Sequence, residues 1–412
     1  MTRRGLPLPL ALVSALSASL AIACTNHTES FTGPVPPGVG LSCTSTRSAG
    51  DGNAARTALT GAPAGTCVIL TSASYAGPFD VPAGVALVAQ NGSRAVITGG
   101  TAQSPAISLG EGSALVNVSV VDSPGVGLAI RAARAVVTGV VVSGAKSAAT
   151  AILCKEALTP GCASGSITLT DVTLTKSGLG LWVSGAHVVM TRGSSDNHSG
   201  SSLSAAAGVI AQDGAQLELD GVLVEKNQGV GILIDGAQTK ASIKKSIVNE
   251  NGERGVWAQR VAGTLEAPAV RLEECLFTKN KIVGVGSVEA RGIIIVGGKI
   301  AETVAAPLVT NLASTEQIGD GVGIFGSGDF KLDGVTFESN ARAAGVIDGA
   351  YKGPLLGGII IVGGKVGVGS LGLKFVVQNA KGADVQIQDG DRSVTEKALG
   401  VSAPKLALPP LL

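Results

Sequence analysis

The densest cluster of proton-transferring groups is SSDNHSG at Ser194–Gly200, where Asp196 and His198 stand two residues apart. A carboxylate and an imidazole can act as a general acid/base pair if the backbone turns both toward one substrate. A second candidate is the octapeptide GIIIVGGK, present at Gly292–Lys299 and again at Gly358–Lys365. A phosphate-cradling loop needs G-x-x-x-x-G-K-[ST], the last hydroxyl binding magnesium. Here five residues separate Gly292 from Gly298, and Ile300 and Val366 stand where Ser or Thr is required, so no nucleotide is expected. The apolar run is far short of the ~20 residues of a membrane span. Calcium-binding G-G-x-G-x-D nonapeptides fail at the same Ile300 and Val366. What remains is a buried parallel strand closed by a glycine turn with an exposed lysine.

Other candidates are sparser. The chain has six cysteines and three scattered histidines but no C-x-x-C pair, so neither a metal nor another cofactor is expected. No Asp-Asp pair occurs; DGDRS at Asp389–Ser393 reads as a capping turn, and Asp235, Asp320 and Asp348 as residues of Gly-flanked turns. Trp182 and Trp257 open strands after turns and read as core packing, with a sugar platform as the alternative if either faces outward.

These groups need elements to position them, and composition narrows the choice. The 412 residues include 59 glycines, with 45% hydrophobic, 3% aromatic and 15% charged residues. The hydrophobic content excludes a disordered chain, and the glycines follow no three-residue period, which excludes collagen. Short strands joined by tight turns fit. The net charge of +1 becomes −1 without Arg3 and Arg4, so no basic field exists for nucleic acid.

The first 24 residues, MTRRGLPLPLALVSALSASLAIAC, carry two arginines, an apolar stretch and small residues, the order of a secretory signal. LAIAC resembles the lipobox of bacterial lipoproteins, with Ala21 where leucine is usual. The resemblance implies that Cys24 becomes the diacylated first residue and ties the chain to a membrane. AIA also suits ordinary signal peptidase, which would leave Cys24 unmodified and the protein periplasmic or secreted. The Pro/Gly-rich segment that follows suits a tether. Thr25 is not the aspartate of an inner-membrane retention signal, so the outer membrane or cell surface is expected. In an oxidising compartment, Cys43 with Cys67 and Cys154 with Cys162 are expected as local disulfides. Cys275 is left as a buried small hydrophobe.

Self-similarity gives the scaffold. LELDGVLVEKN (Leu217–Asn227), FKLDGVTFESN (Phe330–Asn340), VRLEECLFTKN (Val270–Asn280), ASIKKSIVNEN (Ala241–Asn251) and ITLTDVTLTKS (Ile167–Ser177) align, and SALVNVSVVDS (Ser113–Ser123) and VVMTRGSSDNH (Val188–His198) are weaker copies. Counting back from the last residue, positions −3 and −8 are apolar in nearly every copy and −5 and −10 in most. That is period-two alternation broken by a two-residue kink, so two short strands meet at a bend. A glycine-rich turn and another apolar strand follow, as in GVGILI and GVGIF. The repeat resembles the right-handed parallel β-helix family of pectate-lyase-like solenoids, over most of Cys67–Asp389.

The resemblance implies an all-β, single-stranded right-handed parallel β-helix at residues 46–395. It follows a signal peptide (1–23) and a tether (24–45) and precedes a tail (396–412). GDGNAARTALTGA would form an N-terminal cap with one short helix. Ser123, Ser177, Asn227, Asn251, Asn280 and Asn340 share one turn position and would stack as an internal ladder, with His198 in the same place. Charges at the outward positions, among them Lys226, Glu250 and Lys279, alternate in sign and would compensate between coils. The fold family includes polysaccharide lyases and glycoside hydrolases, but its enzymes gather like-signed carboxylates or a calcium site, and this chain spreads its acids. A non-catalytic envelope protein offering a surface to a polysaccharide or an envelope protein is the expectation, with a carbohydrate-active enzyme as the alternative.

Overall fold

The structure is a computed structural model that describes residues 43–90, 94–154, 164–200, 206–307, 317–349, 358–362, 365–367, 373–378, 385–388 and 394–396. Cys24, Cys162, the signal and tail segments and DGDRS lie outside them. Three sheets run the length of the described chain. The first has 14 strands, from Ser45–Ala49 to Val385–Gln388, and the second 11, from Ser74–Ala76 to Thr336–Glu338. The third runs from Phe79–Val81 to Val394–Glu396. From Thr66 to Asp348 each coil contributes one strand to each sheet, and the described pairings are parallel apart from Ala306–Pro307 against Gln317–Phe325. The fold is thus a parallel β-helix, and among the described residues it is all-β but for the helix Gly52–Leu59.

One coil shows how the repeat folds. Gln216–Asp220, Leu223–Glu225 and Ile232–Asp235 supply its three strands. Alternation turns Leu217, Leu219, Val224, Ile232 and Ile234 into the core, each at most 1% exposed. In the next coil Leu217 pairs with Ala241, Val224 with Val248 and Ile232 with Val256, so like residues stack at about 4.8 Å. At the corner into the third sheet, Lys226 takes the left-handed backbone (φ 54°) that turns the following Asn227 inward.

From Ser113 to Glu338, each passage from first to second sheet takes one or two residues, as at Asn117 or Gly221–Val222. The passages on either side of the third sheet vary widely. Those leaving it range from Gly185–Ala186 to residues 154–166 and 260–269, and those entering it include residues 197–208. Length variation therefore borders the third sheet alone. The N-terminal cap is the helix Gly52–Leu59, started by Asp51, whose carboxylate accepts from Ala54 N at 2.8 Å. Ala55, Ala58 and Leu59 bury against the first coil.

The two GIIIVGGK segments supply first-sheet strands two coils apart, with Gly328–Asp333 between them. They are not buried throughout. Ile293 and Ile295 point into the core, whereas Ile294 and Val296 face outward, as alternation on a single-layer coil demands.

Candidate functional site

Asp196 and His198 sit on opposite sides of the sheet wall. Asp196 faces outward from the second sheet, accepting from Thr175 Oγ1 at 2.6 Å and Asn197 Nδ2 at 2.6 Å. His198 points inward and is 1% exposed. Its Nδ1 accepts from Ser177 N at 3.2 Å, so the proton rests on Nε2, 3.1 Å from Ser195 Oγ. Burial pulls its pKa from 6.5 to about 4, against the attraction of Asp196. The imidazole is neutral and walled in, which suits a structural acceptor and not a proton shuttle.

His198 is one step of the internal ladder. Its N–H donates to Asn227 Oδ1 at 3.1 Å. Asn227 Nδ2 donates to Asn251 Oδ1 at 2.9 Å, and Asn251 Nδ2 to Asn280 Oδ1 at 2.8 Å. The column jumps to Asn340 through Thr303, whose N and Oγ1 both donate to Asn340 Oδ1. Ser177 Oγ accepts from Ala145 N of the preceding coil, while Ser123 Oγ bonds locally to Val126 O at 2.8 Å. Each amide satisfies turn groups that burial would otherwise leave unpaired. Of the outward charges, Lys279 reaches the next coil's Glu302 at 3.9 Å, but Lys226 pairs with its neighbour Glu225 at 3.1 Å. Compensation therefore runs within coils as well as between them.

The outward face of the third sheet gathers the polar groups that the repeat does not explain. Ala151, Trp182, Ile210, Leu233 and Trp257 form one outward column, continued by Gly286 and Gly323. Both tryptophans face away from the helix core yet are closed to solvent, at 2% and 0% exposure. They belong to a second apolar cluster with Leu179, Ile210, Leu233 and Phe325. The Trp257 ring lies over Gly286, where a Cβ would collide with it.

Arginine–carboxylate pairs interrupt this layer. Arg254 lies over Trp257, its guanidinium carbon 4.3 Å from the ring centroid. Its Nη1 is 2.7 Å from Glu253 Oε2, close enough to pair but without hydrogen-bond geometry for any of its nitrogens. Burial pushes the Glu253 carboxyl up and the Arg254 guanidinium down, and their mutual attraction opposes both shifts. Trp257 Nε1 donates to Gln259 Oε1 at 3.2 Å, Gln259 Nε2 to Asp235 Oδ2 at 2.9 Å, and Arg260 grips both oxygens of Asp235. Three coils onward, Arg342 grips both oxygens of the buried Asp320. Asp320 thus lies inside a third-sheet strand that also contains Gly319 and Gly321, and Asp235 and Asp348 are the last residues of theirs, with Gly236 and Gly349 just beyond.

Sequence reasoning passed over Glu253, Arg254, Arg260, Arg342 and Thr303. A signal existed for one of them, and for the pairing of Asp320. Arg254 and Asp320 stand directly before Gly-Val, a place that other copies fill with Leu179, Ala207 or Val230. Chemically, the set can hold a ligand by stacking and by charge, but Glu253, Asp235 and Asp320 are each already paired with an arginine. Among the described residues no group of His, Cys, Asp and Glu could hold a metal. Cys43 and Cys67 form a disulfide; Cys154 is disulfide-bonded, its expected mate Cys162 lying outside the described residues. Cys275 is a buried free thiol whose pKa burial raises.

Residues 105–300 match the family model described as the right handed beta helix region. No curated protein matches the chain by sequence. Among solved structures, the A-module of mannuronan C-5 epimerase AlgE4 from Azotobacter vinelandii is similar at 12% identity and TM-score 0.50, covering 89% of this chain and all of that one. The polygalacturonase from Erwinia carotovora ssp. carotovora is similar at 11% identity and TM-score 0.46, covering 88% of this chain and 98% of that one. At these identities the likeness is one of fold.

Proposed function

We propose that this right-handed parallel β-helix protein is exported, held at the bacterial outer membrane or cell surface through a lipid on Cys24, and serves as a non-catalytic scaffold. It would present its long faces to an envelope polysaccharide or protein. The observation that carries this reading is the filled third-sheet face. Tryptophan, leucine and isoleucine close it to solvent, and arginines pair with its Asp235, Glu253 and Asp320. A polymer-cleaving cleft needs an accessible floor with a carboxylate or base free to exchange a proton.

The test is incubation of the purified chain with a panel of acidic and neutral polysaccharides. Reducing ends, unsaturated uronate and sugar stereochemistry by NMR are followed, alongside a glycan-array screen. Unchanged polymers are expected. Turnover of any polymer would sink the scaffold reading and favour a second one, a carbohydrate-active enzyme. The variable length of the segments between third-sheet strands and their neighbours supports that second reading, because insertions beside one face are a common place for a binding loop. Its centre would be Glu253 and Arg254. Labelling with a lipid analogue in wild type and Cys24→Ser tests the anchor; equal labelling would remove it.

A further inference from the structure

The outer face of the first sheet carries a pattern that neither the ladder nor the third sheet uses. Each strand there offers two outward positions. In Val270–Glu273 they are Arg271 and Glu273, paired at 3.1 Å. In Arg291–Val296 they are Ile294 and Val296, and in Gly328–Asp333 they are Lys331 and Asp333, paired at 2.8 Å. In Ile359–Val362 they are Ile360 and Val362. The register sets Arg271, Ile294, Lys331 and Ile360 in one column and Glu273, Val296, Asp333 and Val362 in the other. Ionic and aliphatic rungs therefore alternate, and the repeated octapeptide supplies both aliphatic ones. With Leu265 and Glu266, all of these but Glu273 line a groove of ≈ 600 Å³.

Each ionic rung is cation-first and anion-second; each aliphatic rung is apolar at both places. A two-fold axis parallel to the coil axis keeps rungs level and exchanges the two columns. Two copies laid face to face about such an axis bring Lys331 to the partner's Asp333 and Arg271 to the partner's Glu273. Ile360 meets the partner's Val362, and in the other aliphatic rung Val296 supplies the accessible surface, Ile294 being 6% exposed. We propose that this face is a self-complementary dimer surface and that its occupant is a second copy of the chain, aligned in the same direction. Isologous contacts of this kind are the commonest route to a closed homo-oligomer. A one-rung slip would press ion pairs against aliphatic side chains, so the alternation fixes the register. Toward the N-terminus, Glu218 and Asp220 occupy both positions of their rung, which would face its own mate with like charge and ends the surface there. A glycan fits less well, since the aliphatic rungs offer it neither hydrogen bonds nor an aromatic platform.

Four short rungs are few for the ~800 Å² per partner that a stable complex takes, so association in the range of tens to hundreds of micromolar is expected. Sedimentation equilibrium of the purified full chain across that range, with circular dichroism to check folding, is the test. Concentration-dependent dimer is expected. Lys331→Asp alone and Asp333→Lys alone should each weaken it about tenfold or more, because like charges then face across the axis. The double swap Lys331→Asp/Asp333→Lys restores opposite charges and should recover the dimer. A monomer at the highest concentration, single reversals that behave as wild type, or a double swap worse than either single would each overturn the proposal. So would a monomer in which a polysaccharide shields Lys331 from acetylation, which would assign the face to a glycan.

Discussion

A Cβ on Gly231 would stand 2.7 Å from Nδ2 of Asn251 and 2.5 Å from the carbonyl oxygen of Gly255. The third-sheet glycines and the asparagine ladder are therefore one device: the ladder amides fill the space that the missing side chains leave. Gly208 and Asn227 stand in the same relation, at 2.6 Å, as do Gly255 and Asn280 at 2.8 Å.

Gly231→Ala should destabilise by about 1–3 kcal/mol, since the added methyl meets backbone and a ladder amide that cannot both retreat. Hydrogen exchange should locate the loss in the coils on either side, because a solenoid's coils contact only their neighbours. Unchanged protection there would contradict the close approach.

Asn251→Ala should cost more, on the order of 3–5 kcal/mol. Its Oδ1 accepts from both N and Nδ2 of Asn227, and its Nδ2 donates to Val224 O and Asn280 Oδ1. Truncation orphans several buried groups at about 1–3 kcal/mol each before relaxation. Denaturant midpoints of Asn251→Ala and Asn251→Asp, compared with wild type, measure it.

His198 should make the protein acid-sensitive. Its folded pKa of about 4 lies below the unfolded 6.5, so between those values the unfolded chain binds more protons. Its contribution, about 3 kcal/mol, is complete above pH 6.5 and lost as pH falls toward 4. His198→Asn keeps a ladder amide without the titration and should flatten the stability profile across that window. An equally steep profile in the variant would place the sensitivity elsewhere.

Arg254→Met should destabilise by about 3–5 kcal/mol by stranding the Glu253 carboxylate, whereas Glu253→Leu/Arg254→Met together should lie near wild type or above it. Tryptophan fluorescence during denaturation reads both, Trp257 lying against the guanidinium. A double variant as damaged as the single would show that the pair holds the face together by more than mutual neutralisation.

The coil architecture was legible because Leu219 and Val224, and their counterparts, recur at fixed places relative to Asn227 and the other turn residues. A one-residue shift there would expose the core side chains. The N-terminal helix was legible in GDGNAARTALTGA, where Asp51 precedes a run of mostly small residues. The third-sheet network was not. Arg260 lies three residues beyond the sequence candidate Trp257, and Arg342 reaches Asp320 across coils. Such pairs join residues 22 or 25 positions apart in sequence, and only the register reveals them. Thr303 escaped because its copy begins inside GIIIVGGK, whose glycines disguise the alternation.

The constancy of the one- or two-residue bend between first and second sheets bears on how this molecule can change over time. A whole turn of the solenoid can be duplicated or deleted there without disturbing those above and below, since entry and exit match at every level. Lengthening by such steps would extend the rod in increments of about 4.8 Å, while novelty within a step is confined to the segments flanking one side.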